Sequence, residues 1–432
     1  MNMQTAWAAT LVAVLCALPM APAVAAEAFV EISTTGIDAD AQQRKRHSGV
    51  EVDWVRRVRV NPAALSAKEI SVDLYDLTFQ ITHNPQDPLA RSGPVSVYSA
   101  NADGAVHRRA SGGSDPVWTG TIARATRDAL HLGPGDEAVR VWATPSGTLR
   151  ATFNLGRFRY ELDGDVLVKH DRRRIPNDDR NDVRDVRPTR QSRIHDNHGR
   201  QWKDNDTVRI VVGLGAGAVG DNWNPVIDDV RAARVAANEG AEASSIGLVL
   251  DVPAYAITRY PETTIDQTLD DVLAGPAGPL WLLHHVREIE QADVMVMVVD
   301  TGTLSPICGS AQQILATRET AFAAVERRCL REHTLAHEIG HLLGADHNTE
   351  HAVLDPPRFL YGHGYRAAPD IAPRWRTVMA QECQDVACER VNLWSSPLIH
   401  HNGQPTGTED THDNARVLRE TKAIIAGFYD DP

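Results

Sequence analysis

His337-Glu338-Ile339-Gly340-His341-Leu342-Leu343-Gly344-Ala345-Asp346-His347 is the stretch around which the chain is organised, and its fixed positions read H-E-x-x-H-x-x-G-x-x-H. Four residues separate His337 from His341, so on a helix they lie one turn apart on the same face and can offer two imidazole nitrogens to one ion. Zinc is the ion that suits them. Glu338 projects beside the first ligand, close enough to reach a water at the metal without being a ligand, and is the candidate general base. Gly344 can take a left-handed conformation at low cost, which ends the helix and lets the chain turn back to deliver His347 as a third ligand. Three protein ligands leave one coordination position open, the arrangement of a catalytic rather than a structural zinc site. Even in a chain with 18 His and 30 Gly, five such positions coincide by chance on the order of once in ten thousand chains. A helix with incidental histidines is the poorer reading.

Downstream, Trp375-Arg376-Thr377-Val378-Met379-Ala380 supplies a methionine in a candidate tight turn. Together the two stretches resemble the metzincin metallopeptidases, a resemblance that makes Met379 a structural floor beneath the zinc and not a ligand. Residues 292–300, Cys308-Gly309, the stretch from Ala321 to Cys329, Tyr361-Gly362-His363-Gly364-Tyr365-Arg366, Gly403 to Gly407 and Asp413 to Leu418 narrow it further. They look like the bacterial peptidyl-Asp metallopeptidases, secreted zinc endopeptidases that cut on the amino side of acidic residues. The match covers the last part of the chain well and fades upstream. Asn348 follows the third His, where several metzincin families place an acid or another characteristic residue.

At 432 residues with a formal net charge of −13, the chain suggests two domains and argues against binding to nucleic acid or to anionic membranes. Proteins or peptides are the expected partners; the oligomeric state is left open. Residues 1–26 read as a secretory signal, with an apolar core from Leu11 to Leu18, Pro19 and Pro22 breaking it, and small residues around Ala23 to Ala26 for the peptidase. No other stretch has the character to cross a membrane. Residues 27–170 read as strand-rich, with runs at 52–60, 71–81, 94–99, 149–155 and 160–168 separated by turn residues. Placement ahead of a metzincin-like domain favours a propeptide over a retained accessory domain. A propeptide here cannot silence zinc with a thiolate, because no Cys lies between Cys16 and Cys308.

From 171 to 206 arginines alternate with aspartates and almost nothing apolar is present, which predicts an exposed linker and a processing site. His170, His195 and His198 are expected to be solvated there. The catalytic domain is expected over 207–432, its fold α+β with an α/β-type upper subdomain. Strands are predicted at 208–213, 246–252 and 293–299, and helices at 224–237 and at 265–289 with a Gly-Pro break. Residues 321–330 read as the edge strand lining the cleft, where an extended peptide can add as one more strand. The active-site helix follows from about Glu332, and 413–428 reads as a closing helix. His284, His285 and His333 lack metal spacing to the motif.

Four cysteines remain after signal removal, Cys308, Cys329, Cys383 and Cys388, and an even count in an exported chain implies two disulfides with three possible connectivities. The resemblance implies Cys308 with Cys329, leaving Cys383 with Cys388 as a short loop after the Met-turn. The expected protein is thus a secreted zinc endopeptidase, made as a zymogen, with one Zn2+ held by His337, His341 and His347. If the resemblance extends to acidic specificity, a substrate carboxylate needs a cationic partner, and Arg366 and Arg376 near the Met-turn are the candidates. An endopeptidase with hydrophobic specificity is the alternative, and a zinc-binding protein without activity the more distant one.

Overall fold

The computed structural model describes residues 26–32, 52–172, Val183 and 206–429, apart from short stretches at 86–94, 102, 112–116, 133–137, 144–146, 221–222, 303–305, 355, 384–385 and 387. The signal-peptide reading and nearly all of the linker reading fall outside the described residues. In chain order the first half carries β1 (Glu27–Ile32), β2 (Val52–Val60), β3 (Glu69–Asp73), β4 (Thr78–His83), β5 (Val95–Ala100) and β6 (Val106–Ser111). It continues with β7 (Trp118–Ile122), β8 (Ala138–Ala143), β9 (Leu149–Leu155), β10 (Phe158–Asp163) and β11 (Val166–Asp171). Two of the predicted runs are hairpins: 71–81 turns between β3 and β4, and 160–168 turns at Gly164, whose φ is 63°. Nine of these strands close into a barrel in the order β1-β2-β11-β10-β9-β8-β7-β4-β3, with β1 and β3 parallel and the other neighbours antiparallel. Its core is aromatic and β-branched, including Phe29, Ile70, Phe79, Ile81, Trp118 and Phe153.

The second half is built on a twisted sheet ordered β15-β16-β14-β12-β13-β5-β6, where β12 is Asp206–Leu214, β13 Leu248–Ile257, β14 Val294–Val299, β15 Gly309–Ala311 and β16 Phe322–Glu326. The apolar run of β14 follows from burial on both faces: Val294, Val296 and Val298 point into one core, Met295, Met297 and Val299 into the other. Helix α1 (Asn224–Ala243) covers the first face with Val226, Val230, Ala233, Ala237 and Ala241 at helical spacing. Helices α2 (Ile265–Leu273) and α3 (Trp281–Glu290) cover the second, parted by the Gly-Pro break. Helix α4 (Thr334–Leu342) joins α1 on the first face, and α5 (Asn414–Ile425) closes the chain.

Three readings change. The edge strand is β15, not the 321–330 stretch, because β16 lies between β14 and β15; three residues, Gly-Ser-Ala, carry no alternation that a pattern could detect. The 94–99 run does not belong to the barrel: β5 adds parallel to β13, with Ala254 opposite Ser96, and brings β6 with it. His170 is buried beside Glu161, its Nε2 3.6 Å from Oε2, and Arg172 is equally withdrawn from solvent. The cysteines pair as Cys308–Cys329 and Cys383–Cys388, with S–S distances of 2.00 and 2.16 Å.

The barrel docks on the sheet domain through charges rather than an apolar face. Arg140 pairs with Glu239, and Arg159 and Arg172 both pair with Glu332, the latter at 2.9 Å. Burial alone would raise the Glu332 carboxyl, but the two guanidinium groups outweigh it and hold it below the ordinary carboxylate range. A group depressed in the folded state contributes stability above its unfolded pKa and loses it as pH falls. Glu332 therefore makes docking acid-labile below about pH 4.5. Glu332→Gln is expected to lower stability at pH 7 by about 3 kcal/mol and to flatten the acid limb of a melting-temperature profile; an unchanged profile counts against this role.

Candidate metal centre

Helix α4 begins after a short 3-10 stretch, Arg327–Glu332, and His333 enters it with φ 64°. His337 and His341 share one face of it, as their spacing requires. Gly344, at φ 108°, ends the turn: its N–H donates to the His341 carbonyl, and Ala345 N–H to the Gly340 carbonyl. The returning chain then sets His347 opposite the pair. The three Nε2 atoms stand 3.1, 3.2 and 3.3 Å apart. Metal–nitrogen bonds of about 2.0–2.1 Å in a tetrahedron require about 3.4 Å between donors, so the set fits a zinc-sized ion.

The opposite edge of each imidazole says the same. Nδ1–H of His337 donates to the Val378 carbonyl at 2.9 Å, that of His341 to Ala345 at 2.9 Å, and that of His347 to His351 at 3.2 Å. With every Nδ1 committed as a donor, each Nε2 keeps its lone pair for a metal. Among the described residues this is the one group of three or more His, Cys, Asp or Glu placed to hold an ion.

Other residues make that convergence possible. Gly340 has no side chain because one would strike Met379 Sδ at 2.7 Å and the Trp394 ring at 2.7 Å; Met379 thus lies directly under the turn between the two helical histidines. Val378, next to it, supplies the carbonyl that orients His337. Gly309 of β15 approaches just as closely from the other side, where a Cβ would come within 2.5 Å of Glu338 Oε1. The edge strand and Glu338 are therefore in direct contact.

Sequence reasoning missed Asp346. Its carboxylate accepts the N–H of His347 at 2.7 Å and that of Val353 at 3.0 Å, folding the loop that carries the third histidine. Its carbonyl in turn accepts from Asn414 Nδ2 at 3.1 Å, which ties the loop to α5. Gln381 also escaped notice: its side-chain amide lies 3.4 Å from His347 Nδ1, and its N–H donates to Asn348 Oδ1 at 3.0 Å. These partners come from distant stretches, and no spacing advertises them.

Arg366 and Arg376 face one another across an antiparallel backbone bridge. Arg376 is 2% exposed, its guanidinium donating to the Ala380 carbonyl just past Met379. Arg366 lies nearer the rim and donates to Glu350 Oε2 and to the Glu382 carbonyl, both at 3.1 Å. Burial works to raise the Glu350 carboxyl, yet hydrogen bonds from Asn348, from its own backbone and from Arg366 bring it to about 2. His284 Nε2–H donates to the Val272 carbonyl at 2.8 Å, His285 packs on Trp281, and burial pushes the His333 imidazole down to about 3; all three lie outside the triad.

Residues 228–348 match the family described as Metallo-peptidase family M12B Reprolysin-like. A Peptidyl-Asp metalloendopeptidase of Stenotrophomonas maltophilia (strain K279a) is 32% identical over 381 residues, spanning 87% of this chain and 86% of that protein. One from Xanthomonas campestris pv. campestris is 35% identical over 337 residues, 73% of this chain and 76% of that one. One from Pseudomonas fragi is 40% identical over 121 residues, 28% of this chain and 74% of that one.

The loop geometry makes a claim on affinity. Zinc titrated against a chromophoric chelator is expected to bind at one ion per chain and to be lost in His347→Ala. Asp346→Asn, which leaves all three ligands in place, is expected to weaken binding by about 10- to 100-fold. Wild-type affinity in that variant would mean that the carboxylate does not set the position of His347.

Proposed function

The chain belongs to the family of the peptidyl-Asp metalloendopeptidases and is a metalloendopeptidase; from that premise we propose that its metal is a single zinc ion, that it is secreted as a zymogen, and that it cuts on the amino side of Asp or Glu. The observation that carries the zinc assignment is the convergence of the three Nε2 atoms with each Nδ1 tied to a carbonyl. Bound there, zinc would supply Lewis acidity, lowering the pKa of a water toward neutrality and polarising a carbonyl. Glu338 takes the proton of the attacking water and passes it to the leaving amine. An extended substrate adds along β15, which brings its backbone to Gly309 and hence to Glu338. Glu338→Ala is expected to lower peptide hydrolysis by about 10²- to 10⁴-fold with zinc retained; activity that survives it would instead fit a zinc protein whose glutamate is incidental.

Acid preference rests on the family and on the arginines beside the Met-turn. Arg366 is the stronger of the two, because it already holds a carboxylate, Glu350, at the rim, whereas the Arg376 guanidinium is enclosed beneath Ala380. A planar guanidinium that pairs one carboxylate can pair another in exchange. Cleavage before Asp is to be compared with cleavage before Leu in Arg366→Ala and Arg376→Ala. The Asp-to-Leu ratio is expected to fall by about tenfold or more in Arg366→Ala; an unchanged ratio in both variants favours the hydrophobic-specificity alternative.

Secretion is supported by the two disulfides and by the apolar run within residues 1–26. No helix among the described residues is long and apolar enough to cross a membrane. Residues 27–170 serve as the propeptide and 171–206 as the processed segment. Asp178, Asp179, Asp182, Asp185 and Asp196 supply the residue type the enzyme prefers after its cut, so self-processing is expected to leave a mature chain beginning with Asp. Amino-terminal sequencing of the mature protein and of Glu338→Ala made in the same host decides it. Equal trimming of the inactive variant, or an end generated after Arg, assigns the cut to a trypsin-like host enzyme.

A further inference from the structure

Asn348 directly follows His347, at the position where several metzincin families place an acid or another characteristic residue. Its side chain is buried, and its own hydrogen bonds set which way the amide points. The backbone N–H of Gln381, two residues past Met379, donates to Oδ1 at 3.0 Å, so Nδ2 is turned the other way. There Nδ2 donates to Glu350 Oε2 at 2.6 Å. Arg366 is fixed in the same manner, with Nη1 donating to the Glu382 carbonyl and Nη2 to Glu350 Oε2, both at 3.1 Å. Two N–H donors from different segments thus converge on one carboxylate oxygen, and each is braced by the stretch just past the Met-turn.

One neutral amide and one guanidinium held in this way make a carboxylate receptor, and it adjoins the metal centre: Asn348 is next to His347, and its braces follow Met379. An acid at 348 would spoil it. Aspartate has the shape of asparagine and could still accept from Gln381, but it would present an anion where the receptor needs a donor. The occupant is held less firmly than the receptor. Side-chain exposure is 14% for Arg366 and 67% for Glu350, so Glu350 reaches in from solvent and can swing back into it. Carried on the short 3-10 turn Thr349–His351, it competes with an incoming acid at the high effective concentration of a tethered group, whereas an apolar side chain has nothing with which to displace it.

We propose that Asn348 and Arg366 together receive the acidic side chain of the substrate, and that Glu350 is the resident carboxylate this side chain displaces. The inference rests on the acid preference read above, and its test separates the two. Wild type, Asn348→Asp and Glu350→Gln, each made as the full chain and loaded with zinc, are to be compared on paired fluorogenic peptides that differ only in carrying Asp or Leu after the scissile bond. The Asp-to-Leu ratio of kcat/KM is expected to fall by about tenfold or more in Asn348→Asp, where like charges meet. In Glu350→Gln, which removes the tethered competitor, it is expected to rise by about threefold or more. The same ratio, read as binding by fluorescence anisotropy in the Glu338→Ala background, is expected to move in the same directions without need of turnover. An unchanged ratio in either variant overturns the inference; where wild type still prefers Asp, acid specificity stands without it. Equal loss on both peptides in Glu350→Gln gives that residue a purely structural part in the His347 loop and overturns the inference as well. An Asp preference absent from wild type but present in Glu350→Gln removes acid specificity from the native enzyme and keeps the receptor. Absence of the preference in all three proteins removes both.

Discussion

Three neutral imidazoles must present their Nε2 atoms within about a tetrahedral edge of one another, and most of the second half of the molecule serves that requirement. Like dipoles crowded at 3.1–3.3 Å repel unless something compensates. The compensation comes from behind, where the Val378, Ala345 and His351 carbonyls each take an Nδ1–H and fix both tautomer and ring plane. Those carbonyls lie on three different segments: the Met-turn, the turn after Gly344 and the loop after His347. Each segment is then held in its own right, the first against Gly340 and Gly364, the second by the helix-ending bonds, the third by Asp346. Without these supports the three rings would have no reason to stay converged.

How much of this was legible in the sequence depends on whether the signal was local. His337, Glu338, His341, Gly344 and His347 work through spacing along one helix and one turn, so periodicity and the special freedom of glycine reveal them. Met379 was legible by resemblance, and Gly340 gives its physical reason, since any larger residue would drive the helix off the sulfur. Asp346 and Gln381 act through partners up to 68 residues away in the loop's case, through Asn414, and a single sequence contains no trace of that pairing. The edge strand failed for a different reason. Gly309-Ser310-Ala311 is fully buried and small because Glu338 and Thr334 press on it, so the very closeness that seats it beside Glu338 removes the β-branched pattern that would have announced a strand.

The division into an N-terminal strand-rich part and a C-terminal catalytic part was also drawn from local signals, and the chain does not respect it in space. Alternation located β5 but could not say which sheet it would join. Tyr98 packs in the same core as Leu283 and Met297 and donates to Glu290 at 2.6 Å, so the β5–β6 hairpin is integrated with the sheet that carries the metal centre. Likewise the charge run read as solvated begins with Arg172, whose partners Glu332 and Glu389 lie far along the chain. Alternating charges look the same in sequence whether they face water or one another.

This integration bears on how the N-terminal half could leave. Cutting the linker breaks one covalent bond but none of the strand pairs between β5 and β13, nor the Arg140–Glu239, Arg159–Glu332 and Arg172–Glu332 pairs. The β5–β6 hairpin is held by a parallel ladder to β13, and the barrel by several enclosed ion pairs. Separation of the halves would expose the β13 edge and leave Glu332 without its guanidinium partners, both of them costly. A cut in the chain alone therefore would not part the two halves: strand pairing and enclosed charge, not the covalent connection, hold them together.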